Sequence, residues 1–333
     1  MANKLPRAGF LFLVALFRRA VRRAAASNWI ARVRAKGGSC RGFTLIEVLI
    51  AIVFLVLVFG LTLAGVQHAR QAAAKTQCAS NQGQLSLAIH SHAAQLGKLP
   101  SGCAYETLTA DRQGIDQVGI SWQTAVLPHI EQSALSQQAV GAYQRDPRGE
   151  SDEHARVRVV QVVLFLCPTE GRTLGRQNAD FTYALTSYRG VAGTGLKRED
   201  GLFHQKLVLR FSDVTDGTSN TLMIGERPPG PNGVYGAWYS GWGDTVCPLT
   251  QILPATHDPW LPSEARGCAD ASTVYRPGSP NDWCHVNHFW SPHTGGAHFA
   301  FADGSVRFLR YSADDIMPAL ATRAGGETVV VPE

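Results

Sequence analysis

The chain has 333 residues, of which 45% are hydrophobic and 17% charged, a composition ordinary for a globular protein. Its formal net charge of +5 is unevenly spread, because residues 1–42 contain ten Lys and Arg and no Asp or Glu, which leaves 21 basic and 26 acidic residues for the rest. The charge therefore favours retention of residues 1–42 on the cytoplasmic side of a membrane, and it argues against a nucleic-acid-binding domain in the net acidic remainder.

The first predicted element is a membrane-spanning helix. Residues 48–66 form an apolar run of 19 residues in which only Thr62 is clearly polar. A spanning helix needs about 18 or more such residues, so this run is long enough. Glu47 lies at the edge of the run, and a charge near the bilayer centre costs about 2.5 to 3.5 kcal/mol. The sequence therefore predicts a partner that compensates for the charge of Glu47.

The residues at this edge resemble a known processing site. The hexapeptide Gly-Phe-Thr-Leu-Ile-Glu at residues 42–47 is similar to the prepilin leader of type IV pilins and type II secretion pseudopilins. The resemblance implies that a prepilin peptidase cuts between Gly42 and Phe43 and that the new N-terminus of Phe43 is methylated. It also implies that Glu47 pairs with the Phe43 ammonium of a neighbouring pilin-like subunit. A generic signal anchor with a chance hexapeptide is the alternative.

Residues 67–97 are predicted to continue the same helix, because apolar residues recur at helical spacing until Gly97 and Pro100. Residues 121–138 predict a short helix. Residues 157–167 favour a buried strand, although a helix ending before Pro168 is the alternative. Three further runs with turn residues between them predict strands: residues 181–191, 207–211 and 221–225.

These elements predict an α+β fold, in which a long N-terminal helix packs on an antiparallel β-sheet. The pilin resemblance implies the same architecture. We expect four parts in chain order: a basic leader (1–42), a transmembrane helix (43–66), a soluble continuation of the helix (67–97) and an extracytoplasmic α+β domain (98–333).

Residues 230–292 form an irregular stretch rich in tryptophan. They contain Trp238, Trp242, Trp260, Trp283 and Trp290 among Gly, Pro and small polar residues, without sustained periodicity. An aromatic surface for a ligand such as carbohydrate is one interpretation. The favoured one is an irregular insertion whose tryptophans cover the sheet and seal the core.

A hairpin is predicted near the C-terminus. Asp303 and Gly304 lie between two runs of alternating polarity, which is the strongest short-range signal for a two-residue type I′ turn. In that register Phe301 faces Val306 and Phe299 faces Phe308 on one side of the ribbon. Both loop residues would then need positive φ.

The same region carries a second resemblance. His293, nine further residues and then Asp303-Gly304 resemble the prepilin-associated H-x9-DG motif of a large bacterial family whose soluble domain has unknown function. Further segments are similar to that family in matching order: residues 76–78, 165–168, 187–188, 190–193, 213–221 and 225–226. The resemblance covers residues 41–309 except for the tryptophan-rich insertion.

His293 is predicted to brace the hairpin by hydrogen bonding. Metal ligation together with Cys284, His285 and His288 is an alternative, but these residues lack the paired spacing of a zinc finger or ribbon. Catalysis is the remaining alternative, and neither an HExxH nor a GxSxG pattern occurs in the sequence. We therefore expect no enzymatic activity and no resident cofactor.

A weak calcium hypothesis concerns four oxygen-bearing side chains around a turn: Asp213, Asp216, Asn220 and Glu226. Their ligand atoms suit calcium, but the Asp-x-Asp spacing of an EF-hand loop is missing. The same residues are equally typical of a turn followed by a strand.

Six cysteines remain once Cys40 leaves with the leader: Cys78, Cys103, Cys167, Cys247, Cys268 and Cys284. An even number in an extracytoplasmic domain permits three disulfides, for which about 15 connectivities exist. Buried free thiols are the alternative.

Three functional classes follow from these features. The leading one is a pseudopilin-like structural subunit in the cytoplasmic (inner) membrane, with a cytoplasmic N-terminus and a periplasmic domain. Its expected partners are the prepilin peptidase, other pilin-like subunits and the membrane itself, and no nucleic acid. The second is a membrane-tethered module that binds a glycan or another envelope component. An enzyme is the third and least supported class.

Overall fold

The computed structural model describes residues 44–102, 120–146, 152–178, 181–195, 200–203, 209–233, 235–239, 252–253 and 275–327, together with Val329 and Val331. The chain divides into two compact units, Met1–Gly65 and Val66–Glu333. The longest element is helix α1 (Leu45–Leu96), which has 52 residues and includes both the predicted span and its predicted continuation.

The first part of α1 is apolar and uncovered. In the described part of the chain, α1 is the one helix that is long and apolar enough to cross a membrane. None of the residues in its most apolar stretch is buried inside the protein. The second part of α1 is amphipathic, and its buried face includes Cys78, Gln82, Leu85 and Ile89. A single helix therefore runs from an exposed apolar segment into the unit Val66–Glu333.

The remaining helices are short. The predicted helix over residues 121–138 is two helices, α2 (Trp122–Val126) and α3 (Ser133–Arg145), joined by a 3-10 turn at Leu127–Ile130 that contains Pro128. Helix α4 (Asp152–Arg158) and helix α5 (Met317–Ala321) complete the set. Single 3-10 turns occupy Val163–Phe165, Phe211–Asp213, Thr218–Asn220, Pro231–Gly233, Trp283–His285 and Tyr311–Ile316.

The strand predicted over residues 157–167 is wrong. Its first two residues end α4, and residues 163–165 form a 3-10 turn. Val157 and Phe165 are buried, but Val163 is 81% exposed, so the apolar run does not lie in a sheet. A short apolar run cannot distinguish strand from helix by periodicity, and the acidic first turn of α4 was the missed signal.

The main sheet has five strands in the order β5-β3-β4-β6-β7. Its neighbours are antiparallel except for β3 and β5, which are parallel. Its strands are β3 (Tyr188–Val191), β4 (Leu222–Glu226), β5 (Ile252–Leu253), β6 (Gly296–Phe301) and β7 (Val306–Arg310). A separate antiparallel pair consists of β1 (Leu174–Asn178) and β2 (Phe181–Ala184).

The α+β prediction is confirmed, with two differences in the strands. The run at residues 181–191 is two strands, β2 and β3, which belong to different sheets. In the run at residues 207–211, the first two residues lie outside the described part, and Phe211 begins a 3-10 turn.

The predicted hairpin exists, but its register differs by one residue. Phe299 pairs with Arg307 and Ala300 with Val306, so the loop is longer than two residues. The Gly304 N–H donates to Phe301 O at 3.0 Å, and Gly304 alone in the loop has positive φ, +90°. This is a type I turn closed by a glycine bulge, and the expected positive φ of Asp303 is wrong. Asp303 instead accepts the Ser305 N–H at 2.8 Å.

The register matters because a one-residue shift exchanges the two faces of a strand. Phe299 and Phe301 pack into a core with α5, whereas Ala300 and Ala302 face the core that contains α1. Both faces of the sheet are therefore covered. Gly225 in β4 belongs to the crowded α5 side, since a Cβ there would lie 2.6 Å from ring atoms of Phe289 and Phe299. The next side chain along β4, that of Glu226, points to the opposite face.

Candidate functional site

Four side chains from distant segments meet at one buried point. Cys78 comes from α1, Cys167 from the loop after the Val163–Phe165 turn, Glu226 from the end of β4, and His293 from the loop before β6. One ligand atom from each lies within 4.8 Å of the others. All four residues are at least nine-tenths buried. We name these four residues the Cys–Glu–His cluster.

The two cysteines of the cluster form a disulfide with a Cα–Cα distance of 5.3 Å. It links α1 to the loop at Cys167, which is 89 residues further along the chain. Cys284 is also disulfide-bonded. Cys103, Cys247 and Cys268 lie outside the described residues.

His293 directs its ring at the cluster. Its Nε2 atom lies 3.4 Å from Cys167 Sγ and 3.5 Å from Glu226 Oε1. Its backbone N–H donates to Ser291 Oγ at 3.1 Å, and the Ser291 hydroxyl donates to Gly296 O at 2.7 Å, which fixes the loop at the start of β6. The ring therefore contacts the disulfide and Glu226, and it reaches the hairpin through Glu226.

Glu226 is the acidic centre of the cluster. Its Oε2 atom accepts the backbone N–H of His298 at 2.8 Å, while its Oε1 atom lies 3.5 Å from His293 Nε2, at the limit of a hydrogen bond. Burial acts to raise the pKa of Glu226, but hydrogen bonding and charge interactions with His293 and His298 outweigh it, so the pKa lies below its usual value. The carboxylate is therefore ionised at neutral pH although it is fully buried.

Outer contacts hold the cluster in place. Gln82 on α1 donates from Nε2 to His298 O at 2.9 Å, and Asn81 donates from Nδ2 to Leu166 O at 2.9 Å. The Ser187 N–H donates to Phe165 O at 2.8 Å. These bonds tie α1, the cysteine loop and the sheet together. The segments that the sequence singled out at residues 76–78, 165–168, 187–188, 225–226 and 293 therefore converge on one place.

The chemistry of the cluster depends on its cysteines. As a disulfide, the sulfurs are neither nucleophiles nor strong metal ligands, and the cluster braces α1 against the sheet. As thiolates, they would join an imidazole and a carboxylate in a sulfur, nitrogen and oxygen set of the kind that holds zinc.

The structure does not bring the weak calcium candidates together. Asp213 accepts the Arg210 N–H at 2.8 Å, and Asp216 accepts the N–H groups of Gly325 and Gly326 at 2.7 and 2.9 Å. Glu226 lies in the Cys–Glu–His cluster. The three carboxylates thus have separate partners, and in the described ranges they form no common group.

The second histidine set is also separate from His293. His285 Nδ1 lies 2.8 Å from His288 Nε2, and His288 Nδ1 donates to Phe289 O at 3.0 Å. Burial, with smaller contributions from the neighbouring His285 and Arg276, lowers the pKa of His288 to about 3, although the hydrogen bond to Phe289 O acts in the opposite direction. The set of Cys284, His285, His288 and His293 considered from the sequence does not form a ligand group in the described part of the chain.

Two of the insertion's tryptophans belong to the core. Trp238 and Trp290 are buried, and their Nε1–H groups donate at 2.9 Å to Val160 O and His285 O. Trp283 is 36% exposed. Trp242 and Trp260 lie outside the described residues. Neither buried indole presents a face to a ligand, which agrees with the core interpretation.

The processing site is only partly described. Gly42 and Phe43 lie outside the described residues. Thr44 donates from its N–H and from its hydroxyl to the Glu47 carboxylate, both at 2.9 Å, and the Glu47 N–H donates to Thr44 Oγ1 at 3.4 Å. This is a capping box at the start of α1, and the spacing Thr-x-x-Glu was a signal for it in the sequence.

Comparison with known families agrees with both resemblances. Residues 38–63 match the Prokaryotic N-terminal methylation motif, and residues 67–315 match the family described as Protein of unknown function (DUF1559). No curated protein and no solved structure matches the chain significantly. The larger match covers most of the chain and all four residues of the Cys–Glu–His cluster. The chain is therefore a member of the DUF1559 family that carries a prokaryotic N-terminal methylation motif.

Proposed function

We propose that this protein is a pseudopilin-like structural subunit with no catalytic role. Prepilin peptidase cleaves it between Gly42 and Phe43 and methylates Phe43, and the mature chain assembles through α1 in a type II secretion or type IV pilus-like system. The observation that carries the proposal is the methylation motif at residues 38–63, which lies in register with the apolar start of α1.

The exposed surface of α1 supports insertion in a membrane. Its large apolar side chains point outward along the whole span, for example Phe54 at 66% and Leu61 at 77% exposure. A soluble monomer rarely exposes a continuous apolar patch of this length, because hydration of the patch is costly. With residues 1–42 basic, the positive-inside rule orients the N-terminus to the cytoplasm and Val66–Glu333 to the other side of the cytoplasmic membrane.

The capping box supports a switch of partners at Glu47. In the single subunit, Thr44 supplies the hydrogen bonds to the Glu47 carboxylate. Cleavage creates an ammonium at Phe43, whose full positive charge attracts the Glu47 carboxylate more strongly than the neutral Thr44 donors do where the dielectric constant is low. Assembly therefore replaces local bonds by a stronger pair between subunits and removes two uncompensated charges from the membrane.

Processing is tested by mass spectrometry of the N-terminus of the membrane-extracted protein, coexpressed with a prepilin peptidase. We expect a mature chain that starts at N-methylated Phe43. Gly42→Val should leave the leader attached, because the peptidase needs a small residue before the scissile bond. An unprocessed wild-type chain, or cleavage elsewhere, contradicts the proposal.

Assembly is tested by filament yield in a host that has the matching machinery. Glu47→Leu should preserve cleavage and insertion but reduce the yield, because it leaves the Phe43 ammonium of a neighbour without a partner. Thr44→Ala is the matched control: it removes the cap, at about 0.5 to 2 kcal/mol, and keeps the charge. It should assemble. Wild-type yield from Glu47→Leu would show that Glu47 has no pairing role.

A further inference from the structure

The Cys–Glu–His cluster contains a complete ligand set that the disulfide conceals. Two sulfurs, one imidazole nitrogen and one carboxylate oxygen are four ligands of the types that zinc takes in tetrahedral sites. We propose that the reduced protein binds one zinc ion through Cys78, Cys167, Glu226 and His293, and that formation of the Cys78–Cys167 disulfide expels it.

The distances agree with a tetrahedral zinc site. Zinc bonds of about 2.3 Å to sulfur and about 2.0 to 2.2 Å to nitrogen and oxygen set ligand-to-ligand edges of about 3.6 Å for nitrogen to sulfur and about 3.4 Å for nitrogen to oxygen. In the structure, His293 Nε2 lies 3.4 Å from Cys167 Sγ and 3.5 Å from Glu226 Oε1. His293 thus already stands at ligand spacing from two of its partners.

The sulfurs are the atoms that must move. On a shared zinc ion they would be about 3.8 Å apart, so cleavage of the disulfide and their separation open the centre of the cluster. Cys78 is fixed on the buried face of α1, whereas Cys167 lies in a loop. We therefore expect the loop at Cys167 to supply most of the movement.

Glu226 adds a second indication of a cation. Its Oε1 atom is buried, and its polar neighbour among the described residues is His293 Nε2 at 3.5 Å, at the limit of a hydrogen bond. A buried carboxylate oxygen with so long a contact is poorly compensated, which favours a positive ligand between the two side chains. The other oxygen accepts the His298 N–H at 2.8 Å, so one oxygen is held by the protein while the other is available to zinc.

The proposed exchange balances in electrons and protons. Reduction of the disulfide takes two electrons and two protons from a dithiol, which itself becomes a disulfide. Zinc then displaces the two thiol protons to solvent. In reverse, a thiol–disulfide oxidant protein takes two electrons from the zinc-bound thiolates, a sulfur–sulfur bond forms, and the ion leaves. The competing account is a permanent disulfide beside a buried His–Glu pair.

The test uses the full chain in detergent, either oxidised or reduced with a phosphine, and Co²⁺ as a coloured substitute for zinc. Reduced protein should take up one Co²⁺ per chain and show thiolate-to-cobalt charge-transfer absorption with the strong visible bands of a tetrahedral ion. Zn²⁺ should displace the Co²⁺. Oxidised protein should take up none.

Variants identify the ligands. Glu226→Gln and His293→Gln should each weaken Co²⁺ binding by at least about tenfold, and Cys78→Ser should roughly halve the charge-transfer absorption. Cys284→Ser is the control, since it removes a thiol outside the cluster and should leave binding unchanged. X-ray absorption of the zinc-loaded wild type provides a measurement that needs no variant, with two sulfur and two nitrogen or oxygen neighbours expected.

Three results would overturn the proposal. One is a reduced wild type that binds no Co²⁺. Another is binding that survives unchanged in both Glu226→Gln and His293→Gln. The third is a zinc environment of sulfur alone, which would assign the metal to other thiols of the reduced chain.

Discussion

Lowering the pH from 7 to 5 should destabilise the soluble unit through His288. This side chain is buried, and burial lowers its pKa from 6.5 to about 3. Its Nδ1 atom lies 3.0 Å from the Phe289 carbonyl oxygen, which can only accept, so Nδ1 carries the proton of the neutral ring. Nε2 is then left to accept from His285, 2.8 Å away. Protonation of His288 would break this arrangement.

The sign and size of this loss of stability follow from the different pKa values of His288 in the folded and unfolded chains. A histidine whose folded pKa is depressed stays neutral in the folded state, whereas the unfolded chain gains a proton as the pH falls below 6.5. The contribution of His288 to stability is therefore complete above this value and is lost progressively as the pH falls towards the folded pKa of about 3. Each pH unit is worth about 1.4 kcal/mol, so pH 5 removes about 2 kcal/mol.

The measurement is urea unfolding of the full chain in detergent at pH 7, 6 and 5, followed by tryptophan fluorescence. Trp122, Trp238 and Trp290 are buried in the soluble unit and report its unfolding. His288→Gln cannot titrate, so its loss of stability between pH 7 and 5 should be smaller than that of the wild type by about 2 kcal/mol. His68→Gln, at an exposed position of α1, should keep the wild-type slope.

His288→Gln lowers stability at every pH, because it removes buried contacts. The comparison therefore uses the change in the free energy of unfolding with pH, and not its absolute value. The pKa of His285 is also lowered by burial, and its contribution remains in the variant as part of the common background. Parallel curves for the wild type and His288→Gln would refute the reasoning, since they would show that His288 has the same pKa in the folded and unfolded chains.

Three substitutions test the packing, the turn and the disulfide. Gly225→Ala should lower the free energy of unfolding by about 1 to 3 kcal/mol, because its Cβ would lie 2.6 Å from the rings of Phe289 and Phe299. An unchanged midpoint of urea unfolding would mean that the rings move aside at no cost. Gly304→Val should lower the melting temperature more than Asp303→Val, because a β-branched residue is strained at the φ of +90° that Gly304 has. Asp303→Val loses only exposed hydrogen bonds, which are worth about 1 kcal/mol. The reverse order of melting temperatures would contradict the observed turn. Cys78→Ser should lower the free energy of unfolding of the oxidised protein by about 4 to 5 kcal/mol, the loop-closure value for a separation of 89 residues. A variant as stable as the wild type would show that the disulfide hardly constrains the unfolded chain.

The sequence predicted what depends on local pattern. The apolar run and the helical spacing after it specify α1, and the Asp-Gly pair specifies a hairpin between β6 and β7. The turn type was not predictable, because Asp-Gly suits both a two-residue turn and a type I turn with a glycine bulge. The choice depends on long-range contacts such as the Asp303 N–H bond to Thr218 O.

The cluster could not be assembled from the sequence. Cys167 and His293 are 126 residues apart, and His298 and Glu226 are 72 apart, so no periodicity connects them. The resemblance to a family indicated the segments that contain the residues of the Cys–Glu–His cluster. The order of the strands in the sheet determines that these segments meet. Glu226 was assigned by its residue type to calcium, whereas its place at the end of β4 directs it to His293.

The disulfide also determines how the protein bears mechanical load. A pull applied to the N-terminal end of α1 meets a covalent link at Cys78, which passes the force to Cys167. The helical turns beyond Cys78, whose Leu85 and Ile89 pack on the sheet, are thereby shielded from being peeled away. In the oxidised protein the contacts of α1 beyond Cys78 stay tethered, whereas in the reduced protein they can be lost one after another from Cys78 onward. The oxidation state of one bond thus sets where the domain begins to unfold under tension.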